Sequence, residues 1–130
     1  MIAVDSSALV AIVLEAPESQ RLMLALAQED AVLLTTATWL ETLMVVTVRA
    51  SQRIPSLQAL MEVVPHQYVA VDRELTEVAY AAFLKFGKGR HPAALNFGDC
   101  FSYALAKSRN LPLLFKGQDF SKSDLLAVPY

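Results

Sequence analysis

The chain has 130 residues, a length typical of one domain, and we expect a single domain over residues 1–130 whose core needs no disulfide. A net charge of −2 argues against attraction of nucleic acid by the whole molecule, and one cysteine, Cys100, excludes a disulfide framework and a zinc site of several cysteines. Hydrophobic residues make up 55% of the chain; this predicts an interface with another chain, and no apolar run approaches the roughly 18 residues of a membrane span. No signal peptide is recognisable, so the protein is expected in the cytoplasm.

The first half of the chain predicts two strands and four helices. The strands are the apolar runs Ile2–Val4 and Val32–Thr35, and the helices span about 8–15, 18–28, 38–50 and 55–64. Ser6 and Ser7 are placed to cap the first helix. Pro55 suits the first turn of the fourth helix, because proline lacks an N–H that this turn would leave unpaired.

The second half continues the alternation of strands and helices. Strands are predicted at 68–71 and 113–115, with a fifth at 126–128, and helices at Arg73–Phe86 and Phe97–Arg109. Asp72 caps the first of these helices, and the glycines and proline of 87–92 indicate a loop. This order predicts an α/β protein, a three-layer α/β/α sandwich with a central parallel sheet of four to five strands. In such folds the active site lies at the carboxyl ends of the strands.

Four acidic residues fall where such a sheet brings side chains to one edge, and each also has a structural explanation. Asp5 follows the first strand but is also a good helix cap. Glu41 lies on an apolar helix face, where a carboxylate needs a compensating cation; an ion pair with a distant arginine and a helix edge near solvent are the alternatives. Asp99 sits in the first turn of a helix, where the helix dipole favours an acid. Asp119 follows the fourth strand, and aspartate is common in turns.

Together, these acids predict a metal site. Carboxylates within a few ångströms repel each other, and a hard divalent cation removes the repulsion. All-oxygen ligands suit Mg²⁺ or Mn²⁺, ions that serve in the hydrolysis of phosphodiesters. Asn96 supports the site in this interpretation, because it caps the last helix and leaves Asp99 available.

At this point the residues resemble a known family, the PIN-domain toxins called VapC. The resemblance rests on residues 1–9, Glu41, residues 95–106 and residues 113–120; it extends along the whole chain and is most specific at 96–106. It implies an α/β/α sandwich and an endoribonuclease that depends on Mg²⁺ or Mn²⁺, the toxin of a type II toxin–antitoxin pair. It also implies a homodimer and a cognate antitoxin, VapB, whose C-terminal segment covers the active site.

The resemblance also implies roles for single residues. The family's four acidic positions correspond to Asp5, Glu41, Asp99 and Asp119, here called the four acids. Ser7 corresponds to a hydroxyl position that often supports the first aspartate. One departure is that residues 101–103 are Phe, Ser and Tyr, where some relatives carry a further acid. This difference argues against a second bound metal in the absence of substrate.

Basic residues near the predicted site suggest contacts with RNA phosphates. Lys88 and Arg90 lie in the loop at 87–92, and Lys116 lies close to Asp119 in the sequence. If these residues contact RNA, its binding weakens with salt; the alternative is a flexible, solvated loop.

Two other classes of protein compete with the ribonuclease. A phosphoryl-transfer enzyme would use Asp5 as its nucleophile, although no phosphatase signature accompanies it. A non-catalytic protein-interaction module of the same fold would use the apolar surface, and its acids would be structural. A metal titration separates this module from the ribonuclease, because the module gains neither stability nor activity from Mg²⁺ or Mn²⁺.

Overall fold

The computed structural model describes residues 1–130, and two α-helices follow each of the first three strands along the chain. The strands are β1 (Ile2–Val4), β2 (Val32–Thr35), β3 (His66–Val69) and β4 (Leu113–Leu114). The helices are α1 (Ser6–Val13), α2 (Ser19–Ala27), α3 (Thr36–Ala50), α4 (Ile54–Val63), α5 (Arg73–Phe86) and α6 (Phe97–Arg109). Two short 3-10 turns cover Ser51–Arg53 and Phe120–Lys122. None of the helices is both long enough and apolar enough to span a bilayer.

The four strands form one parallel sheet in the order β3-β2-β1-β4. Its centre is β1, where Ala3 pairs with Leu33 of β2 on one side and with Leu113 of β4 on the other. Because all strands run in the same direction, their carboxyl ends share one edge of the sheet. Asp5 and the start of α3 therefore lie at the same edge.

Alternation along the strands divides the core into two layers, one on each face of the sheet. Ile2 and Val4 point to the face that α1, α2 and α4 cover, whereas Ala3 points to the face that α5 and α6 cover. Leu22 and Leu105 are fully buried examples from the two sides, and burying each contributes about 2 kcal/mol. This arrangement confirms the predicted three-layer α/β/α sandwich.

The boundary of the first helix differs from the prediction because a different residue caps it. Asp5, rather than Ser6 or Ser7, is the N-cap of α1: its side chain accepts a hydrogen bond from the backbone N–H of Ser7 at 3.0 Å. The helix consequently begins at Ser6 and ends at Val13 instead of spanning 8–15. Similarly, Thr35 caps α3, which begins two residues earlier than predicted.

Two strand predictions also need correction. The third strand lies at His66–Val69 rather than 68–71, because its pairing with β2 sets the register, with Val32 opposite His66. The predicted strand at 126–128 is only an isolated bridge between Leu113 and Ala127. Pro129 follows it and has no backbone N–H with which to extend the ladder, so the sheet has four strands.

Candidate active site

Asp5 lies at the end of β1, in the middle of the sheet edge, and only 2% of its surface is exposed. Its Oδ2 accepts the Ser7 backbone N–H that caps α1, and its Oδ1 accepts a hydrogen bond from the hydroxyl of Ser102 at 2.6 Å. The capping explanation of Asp5 is therefore correct, but it accounts for one oxygen only. The second oxygen is held by Ser102 of α6, a helix that packs on the opposite face of the sheet from α1.

Glu41 lies on α3 and faces Asp5. Its Oε1 accepts a hydrogen bond from the Ser6 hydroxyl at 2.6 Å, and it takes part in no ion pair. Burial raises the pKa of the Glu41 carboxyl, the Ser6 hydrogen bond lowers it, and the negative charge of Asp5 raises it again. The alternative of an ion pair with a distant arginine is thus excluded for this residue.

Asp99 lies in the first turn of α6, where it forms a capping box with Asn96. The Asn96 side chain accepts the Asp99 N–H at 2.9 Å, and Asp99 Oδ2 accepts the Asn96 N–H at 3.0 Å. Asn96 is the cap, as predicted, but it does not leave Asp99 wholly available, because one carboxylate oxygen closes the box.

The electrostatics of Asp99 reveal how the four acids are arranged. Burial raises the pKa of the Asp99 carboxyl to about 7, and the negative charges of Asp5, Glu41 and Asp119 contribute to the rise, against the lowering effect of the Asn96 N–H. Asp119 is exposed, at the start of the 3-10 turn after β4. All four acids therefore contribute to one region of negative potential, and none of them has a salt-bridge partner.

The four acids suit a metal ion by their chemistry, but their side chains are not arranged as a closed ligand set. The donor chemistry fits: the four acids are hard oxygen ligands whose mutual repulsion no protein cation relieves. The geometry is not that of a closed ligand set, because no three acidic, histidine or cysteine side chains are arranged to hold an ion. Asp5, Glu41 and Asp99 each rest on hydrogen-bond donors of the protein instead. Coordination by these residues accordingly stays a prediction.

Sequence reasoning missed three residues of this site: Ser6, Gly98 and Ser102. A Cβ added at Gly98 would overlap with the Glu41 carboxylate, so the glycine leaves the space that this carboxylate occupies where α6 approaches α3. Ser102 follows Asp99 by three residues on the same helix, a spacing that places both on one face. That spacing was the only signal in the sequence, and it does not give the Ser102 hydroxyl a role.

The remaining predicted site residues are less closely tied to the four acids. Ser7 supports Asp5 through its backbone N–H, whereas its hydroxyl accepts the Lys116 backbone N–H at 3.0 Å. The Lys116 ammonium lies 3.3 Å from Glu18. Arg90 donates to the Leu84 carbonyl at 3.2 Å, and neither it nor Lys88 forms an ion pair with one of the four acids.

Comparison with known proteins places this geometry in context. Residues 2–125 match the family model described as PIN domain. The chain is 41% identical over 128 residues to Ribonuclease VapC30 of Mycobacterium tuberculosis, covering 96% of each protein. It is 42% identical over 128 residues to Ribonuclease VapC of Mycolicibacterium smegmatis, covering 96% of this chain and 98% of the relative.

Solved structures share the fold at lower identity. Mycobacterium tuberculosis VapC20, described as a sarcin-ricin loop cleaving toxin, superposes with a TM-score of 0.81 at 18% identity, covering 100% of both chains. A chain of a toxin–antitoxin complex from Klebsiella pneumoniae gives 0.73 at 18% identity, covering 100% of this chain and 98% of the other. A chain of VapBC2 from Rickettsia felis, bound to a DNA fragment from its promoter, gives 0.71 at 12% identity, covering 98% of each.

Proposed function

The chain belongs to the PIN domain family, and from this membership we propose that it is an endoribonuclease, the toxin of a type II toxin–antitoxin system. The observation that carries the catalytic part of the proposal is the convergence of Asp5, Glu41 and Asp119 on Asp99, whose carboxyl has a pKa of about 7. A protein that needed these acids only for its fold would gain nothing from keeping their charges together without a cation. One domain over residues 1–130 carries the whole site.

We propose that Asp5, Glu41, Asp99 and Asp119 hold Mg²⁺ or Mn²⁺. When bound, such an ion lowers the pKa of water and stabilises the negative charge that develops on an attacked phosphodiester. The protein's own part is to orient the ligands: Ser102 and the Ser7 amide fix Asp5, Ser6 fixes Glu41, and Asn96 fixes Asp99. Donors of this kind commonly change metal affinity or activity by 10–100-fold when they are removed from a site.

A cognate VapB-like antitoxin is the proposed protein partner. The relatives of this chain carry the VapC name, and the solved structures with its fold include toxin–antitoxin complexes. A non-catalytic interaction module of the same fold remains the competing function. That function explains a binding surface, but it gives no reason for the unpaired charges around Asp99.

A second copy of the chain is the proposed partner for a band of exposed apolar side chains. Leu40 and Met44 lie one turn apart on α3, and they share a groove with Phe97 and Phe101 of α6. The same two phenylalanines line a neighbouring apolar groove of about 450 Å³ against α5. Phe97 is 83% exposed at the junction of the two grooves. We call this surface the apolar band and propose that it forms a homodimer interface.

RNA cleavage by the purified chain tests the function directly. We expect the unsubstituted chain to cleave single-stranded RNA when Mn²⁺ or Mg²⁺ is added. Asp99→Asn should lower the rate by at least about a hundredfold, which is the size of effect expected when one group that stabilises the transition state electrostatically is lost. Asp30→Asn, the same change at an exposed aspartate, should cleave at the rate of the unsubstituted chain. Circular dichroism verifies that both variants are folded. Metal-dependent cleavage by Asp99→Asn at the unsubstituted rate would contradict the proposal.

A further inference from the structure

A third groove, about 330 Å³ in volume, begins at Glu41, one of the four acids, and runs between α1 and the C-terminal half of α3. We call it the basic groove; its lining includes Ser6, Ser7, Glu41, Val45, Arg49 and Lys116. We infer that this groove holds the RNA strand beside the cleavage site, and that Arg49 binds a phosphate one or more nucleotides away from the bond that is cut. The inference rests on the proposed ribonuclease function.

The basic groove is continuous with the candidate active site. Glu41 and Ser6, joined by their 2.6 Å hydrogen bond, form its inner end. Ser7 connects the two as well, because its amide binds Asp5 while its hydroxyl binds the backbone of Lys116. A strand whose phosphate lies at the four acids therefore meets this groove directly.

Charge selects an anion as the occupant. The net charge of the chain is −2, so the molecule as a whole does not attract RNA and a strand needs local cations to remain close to the site. Two positive side chains, Arg49 and Lys116, line the groove, and Glu41 is its only acidic lining residue. Lys116 is already engaged with Glu18 at 3.3 Å, which leaves Arg49 as the cation without an ion pair.

The spacing along α3 separates Arg49 from Glu41, so in this inference Arg49 and the four acids bind different phosphates. Arg49 follows Glu41 by eight residues on α3, which corresponds to about 12 Å along the helix axis. One phosphate group is too small to reach both. Arginine suits the role because its guanidinium donates two parallel hydrogen bonds to a phosphate.

The alternative role for Arg49 is structural, because a cation in the last turn of a helix interacts favourably with the helix dipole. Arg109 provides the matched control. It is also an exposed arginine in the last turn of a helix, α6, and it lies outside the basic groove. A purely structural arginine predicts equal effects of the same substitution at the two positions.

The test compares Arg49→Gln with Arg109→Gln. Each is combined with Asp99→Asn to prevent cleavage, and binding of a fluorescein-labelled single-stranded RNA is followed by anisotropy over a series of salt concentrations. We expect Arg49→Gln to weaken binding about tenfold and to reduce the salt slope by about 0.7, the loss of one phosphate contact to a single strand. Arg109→Gln should change neither. In the cleaving protein, Arg49→Gln should raise KM and leave kcat nearly unchanged.

The outcomes separate this inference from the proposed function. If the unsubstituted chain cleaves RNA but the two arginine variants bind RNA with the same affinity and salt slope, the basic groove does not hold the strand and the nuclease function stands. If the unsubstituted chain neither binds nor cleaves RNA, the function and the inference both fail. If Arg49→Gln and Arg109→Gln weaken RNA binding to the same extent, the effect is that of any arginine at a helix end and the inference is overturned.

Discussion

At Asp99, the proposed role in metal binding and the stability of the fold oppose each other. Folding partly buries its carboxyl and places it near the charges of three other acids, so folding favours the protonated form. Near neutral pH, Asp99 is therefore protonated in part of the population. In the rest of the population it is charged, and this charge lowers the free energy of unfolding. A divalent cation bound by the four acids would remove this cost, which links metal binding to stability.

We predict that Asp99→Asn stabilises the metal-free protein, and that the gain depends on pH. The folded carboxyl has a pKa of about 7, whereas the ordinary pKa of an aspartate is 3.8. Because the folded pKa is raised, the charge opposes folding increasingly as pH rises from about 4 to about 7, and fully above that. The variant lacks this penalty and should gain roughly 1–2 kcal/mol at about pH 8, allowing for partial solvent screening, and almost nothing at about pH 4. Urea unfolding in a chelator measures the difference.

With Mn²⁺ added, we expect the unsubstituted chain to become more stable than Asp99→Asn, because the ion stabilises the unsubstituted chain and has less effect on the variant. Asp30→Asn serves as the control, since Asp30 is exposed and should show no such pH dependence. A difference between Asp99→Asn and the unsubstituted chain that stays constant from about pH 4 to about pH 8 would show that Asp99 does not sit in the negative potential described here.

The residues of the site divide into those that sequence could identify and those that it could not. The acids were identifiable, because a carboxylate after a buried strand or on an apolar helix face is costly and therefore conspicuous. Ser6 and Ser102 were not, because a serine is unremarkable in sequence and its hydroxyl becomes a donor only once the helices have a fixed rotation. Coordination by the four acids is still a prediction, because ligand geometry depends on an ion that the chain alone does not contain.

At the scale of elements, Gly98 of α6 sets the space available to the Glu41 side chain of α3. The glycine leaves room for the Glu41 carboxylate, which would otherwise lose its place beside Ser6. Because the carboxylate is the end of a side chain that rotates, we predict that Gly98→Ala displaces it and preserves the fold. Cleavage should fall roughly 10–100-fold, the range for a disturbed ligand.

The Glu41→Ala background is the matched control for this prediction. There the overlap is absent, and Gly98→Ala should stabilise the protein by up to about 1 kcal/mol, because alanine is the better helix residue. In the unsubstituted background the same change should stabilise less or destabilise. Equal stabilisation in both backgrounds, together with unchanged cleavage by Gly98→Ala, would mean that Gly98 and Glu41 are not in contact.

Element boundaries were predictable where one residue is the only good cap, and less so elsewhere. Both α5 and α6 begin where predicted, because Asp72 and Asn96 each precede a clear helical pattern. The start of α1 was wrong because Asp5, Ser6 and Ser7 are all good caps in a row, and only the position of β1 decides among them. The third strand was displaced because register comes from pairing with β2, which sequence periodicity does not contain.

At the scale of the molecule, the apolar band accounts for part of the high hydrophobic content of the chain. With hydrophobic residues at 55% of the chain, two buried layers do not absorb them all, and several large side chains remain exposed on α3, α5 and α6. A second copy of the chain could cover the apolar band without any other partner, since one patch that is complementary to itself closes a twofold dimer. Because the apolar band lies beside Glu41, a dimer formed through it would place the two candidate active sites near one interface.

We therefore predict that Met44→Glu dissociates the dimer. Met44 is 59% exposed in the single chain, and in a twofold interface each substitution counts twice, so the dimer Kd should rise a hundredfold or more. Leu24→Glu is the matched control, because Leu24 is 62% exposed on α2, away from the apolar band. Sedimentation velocity should give twice the 14.3 kDa chain mass for the unsubstituted protein and for Leu24→Glu, and the chain mass for Met44→Glu. If the unsubstituted protein sediments as a single chain, or if both variants dissociate alike, the apolar band is not the interface.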